Sequence, residues 1–354
     1  MGRGVFVVDA ATGAKINLLS PPTGVQGYSF AADVTPLDLD GDGFVDRIYA
    51  ADTGGNIFRF DAVQSAEIGT AGYWKTYLIA KVGDVGNDGG SDARKFLFAP
   101  EVVPFRDAGV LKTNVLIGSG DREKPLANKK PDGTTNALTC SAYYSDAYYG
   151  TPVTDRLFGI IDTVQFGAVE ATVNASPVAI ADLLEVNASS SLVSFNLSSS
   201  YKGWNIRLKN DPTTSGTPGE EKTVNQARVV GGIAFFATNT PIAPDPSHGV
   251  CTNLGEALGY AVDPFTGLPA INRDGSTNNG AATYTSADYA TQFAGGGLPP
   301  TVTAGVVSVG GTPYRFVIGS GGAALTSASS IAGQRNILNI KGNRSRLYWS
   351  YGAD

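Results

Sequence analysis

The sequence has little charge, one histidine and no long apolar run. Asp, Glu, Lys and Arg make up 16% of its 354 residues, against about 25% in an average soluble protein. This composition favours an exported protein. The net charge is −6 and the basic residues form no stripe, which argues against a nucleic-acid partner because a phosphate backbone needs clustered Lys and Arg. No run approaches the roughly 18 apolar residues of a membrane span, so we expect no transmembrane segment.

The first residues also lack a feature of exported precursors. The segment MGRGVFVVDAATG has no apolar core of a signal peptide. Met1 is the only methionine in the chain. We therefore interpret the sequence as a fragment or processed piece of a longer exported protein.

Cysteine is scarce, with only Cys140 and Cys251 in the chain. A disulfide between them would close a loop of about 110 residues and, in an oxidising compartment, contribute about 4–5 kcal/mol on the chain-entropy model. Two buried free thiols are the alternative. The spacing excludes a CxxC metal or redox motif.

Glycine and proline, by contrast, are abundant, with 45 and 19 residues against a usual combined share of about 12%. Many of them lie in the turns of a repeat, which consists of a predicted strand, an aspartate, a glycine-containing turn and a second strand. Copies lie at Val5–Ile16, Ile48–Ala62 and Gly259–Ala270, with a shorter one at Arg156–Thr163. Each predicts the hairpin of a propeller blade, in which glycine supplies the positive φ of the turn.

The rest of the chain supports an all-β fold with quinoprotein-like repeats, in a partial or modified β-propeller. Short runs rich in β-branched and aromatic residues predict further strands at Phe96–Val103, Asn114–Gly118, Ala227–Ala237, Gly305–Val309 and Tyr314–Ile318. Weak helical periodicity is confined to Asp182–Val186 and Ser286–Phe293. We expect residues 1–354 to form a single propeller-like domain or the C-terminal part of one, with inserted loops at 123–155 and 187–200.

The sharpest motif is the nine-residue segment DLDGDGFVD, which matches the first nine positions of an EF-hand-type calcium loop. Positions one, three, five and nine are Asp38, Asp40, Asp42 and Asp46, and position seven offers the carbonyl oxygen of Phe44. Four carboxylates in nine residues repel one another unless a cation lies among them. The sequence therefore predicts a Ca²⁺ site formed by these five residues, with a solvated acidic turn as the alternative.

This segment is not a helix–loop–helix EF-hand. The twelfth position, which is a bidentate Glu in an EF-hand, is Tyr49, within a predicted strand. We expect the loop to connect two strands and to bind calcium in the micromolar range or more weakly. A second acidic segment, Asp84–Asp92, has glycine at position three and is interpreted as a polar turn, with a second ion site as the alternative.

Several segments together resemble the C-terminal domain of the PilC/PilY family of type IV pilus tip-associated proteins. The most specific is DLDGDGFVDRIYAADTGGNIFRFD; the others, in order, are VFVVDAATG before it and RKFLFAPEVV, VLIGSGDREKPL, ARVVGGIAFFATNTP and LGYAVDPFTG after it. The resemblance spans most of the chain. The family's von Willebrand-like region and first propeller blades have no counterpart before Val5.

The resemblance implies a non-enzymatic, exported protein of a Gram-negative bacterium, at the pilus tip, at the cell surface, or in the outer membrane or periplasm. It implies roles in pilus biogenesis, in adhesion to a host or abiotic surface and in calcium-regulated extension and retraction, with minor pilins as partners. It also matches Asp38, Asp40, Asp42 and Asp46 to the family's calcium ligands.

The alternative is a quinoprotein-like dehydrogenase or another propeller enzyme, since such blades carry similar D-x-x-T-G turns. A quinoprotein needs a central pocket with paired carboxylates and a stacking tryptophan. Here Trp74, Trp204 and Trp349 are far apart in sequence, and His248 lies in a Pro/Gly-flanked segment. We therefore expect no enzymatic activity.

Overall fold

The computed structural model describes most of the chain. The described residues are 2–63, 65–70, 72–83, 94–122, 126–127, 149–150, 153–188, 192–208, 221–241, 254–272, 275, 277–278, 281–293, 296–301, 303–309 and 312–318. Cys140, Cys251, His248, Trp349 and the acidic segment Asp84–Asp92 lie outside these residues, as does most of 123–155.

Strands dominate the described residues. They are β1 Val5–Val8, β2 Lys15–Leu19, β3 Thr35–Leu37, β4 Arg47–Ala51, β5 Asn56–Ala62, β6 Trp74–Lys81, β7 Glu101–Asp107, β8 Val110–Gly118, β9 Leu126–Ala127, β10 Tyr149–Gly150, β11 Arg156–Asp162, β12 Val178–Ala179, β13 Leu184–Glu185, β14 Gly203–Arg207, β15 Lys222–Thr223, β16 Arg228–Val230, β17 Ile233–Thr240, β18 Glu256–Val262, β19 Thr277–Asn278, β20 Ala281–Ala282, β21 Ala290–Phe293, β22 Thr303–Val309 and β23 Thr312–Ile318. One short helix, α1, spans Glu170–Asn174. No helix in the described ranges is long and apolar enough to cross a membrane.

Three sheets form the body of the fold, and we name them the first, second and third blades. The first has the strand order β12-β6-β5-β4-β3, and the second has β13-β14-β11-β8-β7. The third has β15-β17-β18-β21, with β16 also paired to β17. Consecutive strands in each blade run antiparallel, whereas β12 and β13 join their sheets in parallel. The prediction of an all-β, propeller-like fold is confirmed.

The blades pack face to face. Tyr49 and Ile57 of the first blade share a buried apolar cluster with Phe158 and Ile160 of the second. A separate cluster joins the second blade to the third, and there the indole N–H of Trp204 donates to the Pro264 carbonyl at 2.9 Å. Because both faces of the middle strands are covered, these strands contain few exposed positions. Every residue of β4, β5 and β11 is buried.

The predicted hairpins at Val5–Ile16 and Ile48–Ala62 are present as β1–β2 and β4–β5. Their turns follow the predicted chemistry. The Asp9 carboxylate accepts the backbone N–H of Thr12 at 2.7 Å, and Gly13 has a φ of +73°. Asp263 makes the same contact with Thr266 at 2.8 Å in the third copy. That copy pairs only through a bridge between Val262 and Pro269 after its turn, so the prediction of a full hairpin there is wrong.

Other predictions needed larger corrections. The strand predicted at Phe96–Val103 begins only at Glu101, and Ala227–Ala237 is two strands around a Gly231-Gly232 turn. The stretches Asp182–Val186 and Ser286–Phe293 were predicted as weak helices. The first begins at the last residue of a short 3-10 turn, the second starts with such a turn, and a strand follows in each. These two stretches form strands because β13 pairs with β14 and β21 pairs with β18 at the edges of their blades. Asn114–Gly118, Gly305–Val309 and Tyr314–Ile318 lie in β8, β22 and β23 as predicted.

Within 187–200, the described residues form an irregular segment that packs on the body. Phe195 is 2% exposed within the cluster shared by the second and third blades. Its backbone N–H donates to the Thr266 carbonyl at 3.1 Å. The predicted inserted loop is therefore held against the third blade by an aromatic side chain.

Candidate metal centre

The acidic segment 38–46 is the connection between β3 and β4 of the first blade. Leu37 and Arg47 are partners in the antiparallel ladder, and the backbone N–H of Asp46 donates to the Leu37 carbonyl at 2.9 Å. The loop therefore leaves β3 and enters β4 at two residues that face each other in the ladder. This confirms that two strands, rather than two helices, flank the motif.

Glycine permits the curl of this loop. Gly41 has a φ of +82° and Gly43 a φ of +90°, a backbone region that residues with a Cβ atom rarely adopt. The carboxylate of Asp38 stabilises this turn by hydrogen bonds to backbone N–H groups. Asp38 Oδ1 accepts the N–H of Gly41 at 2.7 Å, and Asp38 Oδ2 accepts the N–H of Gly43 at 2.9 Å.

Three carboxylates converge at the surface of the loop. Oxygen atoms of Asp38, Asp40 and Asp42 all lie within 4.8 Å of one another, and the three residues are exposed. Asp40 and Asp42 also accept backbone N–H groups two residues ahead, at 3.1 and 2.8 Å. Oxygen ligands that are partly oriented by the backbone suit a hard cation such as Ca²⁺. The donor set therefore fits the predicted ion.

The backbone of the loop also keeps Asp38 charged. The N–H group of Gly43, with that of Gly41, lowers the pKa of Asp38 below its ordinary value of 3.8, although partial desolvation acts in the opposite direction. Hydrogen bonds to a carboxylate favour its ionised form. Asp38 is thus negatively charged at any neutral or mildly acidic pH, as the predicted site requires.

Asp46 is placed differently from the other three aspartates. It is buried, at 4% exposure, and its Oδ2 accepts the N–H of Leu39 at 2.6 Å. It lies outside the group of three converging carboxylates, and its role as a ligand, like theirs, stays a prediction. Phe44 is 72% exposed, and because its ring carries no oxygen donor, the ligand predicted at position seven is its backbone carbonyl.

A second polar feature lies directly behind the loop, between the first and second blades. Arg47 Nε and Arg59 Nε both donate to Asp61 Oδ1, at 2.8 and 2.9 Å. Arg59 Nη1 also donates to Asp162 Oδ2 of the second blade at 2.8 Å, and the hydroxyl of Tyr49 donates to the same oxygen at 2.6 Å. We call these five residues the interblade network. Each is at most 4% exposed.

The network is electrically neutral, with two guanidinium and two carboxylate groups. Burial is the largest single influence and alone would lower the pKa of Arg59, but Asp162, Tyr49 and Asp61 together outweigh it, so the pKa of this guanidinium is raised. Burial, with the charge of Asp162, also raises the pKa of Tyr49. Both groups therefore stay protonated as hydrogen-bond donors. Paired in this way, the charges avoid the penalty of an isolated buried ion.

Sequence reasoning missed the interblade network. Its signal was present, because Arg47, Arg59 and Asp61 are charged residues inside otherwise apolar strands, where charges are rare unless paired. The partner Asp162 lies 103 residues from Arg59. No local pattern identifies such a pair.

Comparisons with known proteins agree with the fold. No family model matches the chain. The crystal structure of the Pseudomonas aeruginosa PilY1 C-terminal domain matches with a TM-score of 0.54 at 18% identity, over 89% of this chain and 64% of that chain. This chain has the fold of the PilY1 C-terminal domain. A curated relative, the type IV pilus biogenesis factor PilY1 homolog of Xylella fastidiosa, is 37% identical over 70 residues.

Both PilY1 comparisons confirm the resemblance to the PilC/PilY family read from the motifs. Their coverage is partial. The PilY1 homolog is matched over 17% of this chain and only 5% of its own length. The chain thus spans less than two thirds of the length of both of these PilY1 relatives.

Proposed function

We propose that the chain is a calcium-binding, type IV pilus-associated protein that acts by binding and assembly rather than by catalysis. The observation that carries the proposal is the converging group of Asp38, Asp40 and Asp42 on a strand-connecting loop, within a fold shared with a PilY1 domain. Asp46 and the carbonyl of Phe44 would complete the protein ligands. Water would fill the remaining positions, since Ca²⁺ takes six to eight oxygen ligands.

By its similarity to PilY1, the protein would be exported by a Gram-negative bacterium and associate with minor pilins at the pilus tip. There it would support pilus biogenesis and adhesion to a host or abiotic surface. The printed name of the curated relative, a type IV pilus biogenesis factor, supports this assignment.

Calcium would act as a local switch. When bound, the ion would hold three like charges together and fix the entry into β4 at Arg47. Without it, repulsion among the exposed carboxylates would loosen the loop. Order–disorder changes of this kind couple ion occupancy to the binding of a partner. Extension and retraction of the pilus would then depend on calcium.

The acids buried between the first and second blades support a non-catalytic role. The carboxylates of Asp61 and Asp162 already accept hydrogen bonds from Arg47, Arg59 and Tyr49. They therefore have a structural role between the blades. A direct check is turnover with a quinone cofactor and a dye acceptor. A robust rate would favour the dehydrogenase alternative.

The cellular experiment compares two matched strains. One carries Asp42→Asn in the loop, and the other carries Asp33→Asn, at an exposed aspartate outside it. We expect altered extension, retraction and twitching only in the Asp42→Asn strain, because only that change removes a ligand charge. Wild-type motility in both strains would contradict a calcium-regulated role.

A further inference from the structure

The candidate calcium loop continues without a break into the interblade network. Asp46, the last residue of the loop, is fixed on both sides: its N–H donates to Leu37, and its carbonyl accepts the N–H of Ala62 at 2.8 Å. The next residue is Arg47. No spacer residue separates the loop from the network.

Arg47 itself contacts the second blade. Its guanidinium lies over the ring of Phe166, with the central carbon 4.5 Å from the ring centroid, and its Nη1 lies 3.5 Å from the hydroxyl of Thr113. Thr113 belongs to β8 and Phe166 follows β11. The first residue after the loop therefore touches two elements of the neighbouring blade.

From Arg47 the contacts continue through shared partners. Asp61 binds both Arg47 and Arg59, and Arg59 reaches Asp162 and the carbonyl of Val164, the latter at 2.7 Å. Asp162 Oδ1 in turn accepts the N–H of Val164 at 2.9 Å. The backbone that follows β11 is thus held by groups of the first blade.

We propose that Arg47 is a positioning residue for the calcium loop, and that the interblade network couples occupancy of the loop to the packing of the first blade on the second. This inference rests on the calcium binding proposed above. A shift of Arg47 away from its observed position separates its buried guanidinium from Asp61, its carboxylate partner, and an unpaired buried cation is costly. The position of the backbone at the start of β4 and the packing of the first blade on the second are therefore linked. An ion that stabilises the start of β4 also stabilises the blade interface.

Coupling of this kind is reciprocal. If calcium stabilises the packed interface by some factor, the packed interface strengthens calcium binding by the same factor, so opening the interface at a distance from the loop must weaken calcium binding by up to that factor. Asp162 and Tyr49 suit this test because neither belongs to the loop. Asp162→Asn neutralises the second-blade end of the network, and Tyr49→Phe removes one hydrogen bond while keeping the ring.

A matched control is available in the third blade. Glu221 is fully buried and accepts hydrogen bonds from the hydroxyls of Thr238 and Tyr260, much as Asp162 accepts from Tyr49. Glu221→Gln therefore removes a buried acid of the same kind, away from the first blade. Any general loss of stability appears in this control as well.

The measurement is calorimetric titration of the full chain with Ca²⁺ below the unfolding range of every variant. We expect about five-fold weaker binding or more in Asp162→Asn, at the lower end of usual coupling factors. A smaller weakening is expected in Tyr49→Phe, and an unchanged affinity in Glu221→Gln. Arg47→Met should weaken binding, and Arg47→Lys should restore part of it because the ammonium can still reach Asp61.

Hydrogen exchange gives a second readout. Calcium should raise protection of the amides at 162–166 in the wild type, and Asp162→Asn should abolish this increase. If Asp162→Asn does not fold, Tyr49→Phe decides the question by the same two measurements. Calcium binding that is equally tight in all folded variants would overturn the coupling and leave the calcium site standing. Absence of calcium binding in the wild type would overturn both.

Discussion

Arg59 and Asp162 join two blades of this fold through one hydrogen-bonded ion pair, with Arg59 Nη1 2.8 Å from Asp162 Oδ2 and both side chains fully buried. Arg59 also binds Asp61 on its own strand, and its guanidinium lies over the ring of Tyr77 at 4.9 Å. A buried cation with two carboxylates and an aromatic face is held in one position. The interface between the first and second blades therefore depends on the directional contacts of Arg59 as well as on apolar packing.

Removing this cation should strongly destabilise the fold. Arg59→Met leaves the Asp162 carboxylate buried with only its neutral partners, and breaking a buried pair in this way typically costs about 3–5 kcal/mol. The free energy of unfolding from urea denaturation measures the loss. The matched control is Lys112→Met, which breaks the more exposed pair with Asp107 and should cost at most about 1 kcal/mol. Equal losses in the two variants would contradict the importance of the interblade network.

The exposed ring of Phe44 should be dispensable for calcium. The proposed ligand is the backbone carbonyl, and the side chain is largely in solvent. Phe44→Ser is therefore expected to bind Ca²⁺ with wild-type affinity in a calorimetric titration. A loss as large as that of Asp42→Ala would contradict this expectation and show that calcium binding also depends on the ring of Phe44.

Calcium binding should be insensitive to mild acid as far as Asp38 is concerned. Because the pKa of Asp38 is lowered below 3.8, protons compete with the ion for this ligand only below about pH 4. A carboxylate with a depressed pKa stabilises the folded state above its unfolded pKa and loses this contribution as the pH falls through its folded value. NMR titration of the Asp38 carboxyl carbon in the calcium-free protein should give a midpoint below 3.8. A midpoint above 4 would mean that the backbone N–H groups do not hold the carboxylate.

The turn between β4 and β5 should not tolerate a side chain at Gly55. Gly55 has a φ of +76°, and an added Cβ would lie 2.2 Å from the Cα of Gly83. We expect Gly55→Ala to cost more than about 3 kcal/mol of unfolding free energy, since backbone atoms must move. Gly13→Ala is the control, because Gly13 has a similar φ but open space around it, and about 1–2 kcal/mol is expected there. Equal melting temperatures of the two variants would refute the close approach.

Local chemistry explains how much of this fold could be predicted from sequence. The turns at Asp9 and Asp263 were predictable because an aspartate, a threonine and a glycine within five residues fix the backbone by themselves. The loop from Asp38 was predictable in a similar way, because its aspartate side chains accept backbone N–H groups and its glycines permit the positive φ. The strands β4 and β5 were predictable from the repeat, in which runs rich in apolar and aromatic residues flank a glycine-containing turn.

What the sequence did not predict depends on distant partners. The strand at Leu184–Glu185 forms because β14 offers an edge to pair with, and α1 was not predicted because five residues carry little periodicity. On α1, Glu170 and Asn174 accept the N–H groups of Thr76 and Leu78 at the edge of β6. Contacts of this kind, like Arg59 with Asp162, become visible only once the blades are assembled.

The most direct test of the account is calorimetric titration of the wild-type chain and of Asp42→Ala with Ca²⁺. We predict one bound ion in the wild type, with an affinity in the micromolar range or weaker because no bidentate glutamate closes the loop, and no binding heat in Asp42→Ala. Asp33→Ala, the exposed control outside the loop, should match the wild type. Identical heats in the wild type and Asp42→Ala, or no calcium-dependent heat in the wild type, would contradict the proposal that this loop is a calcium site.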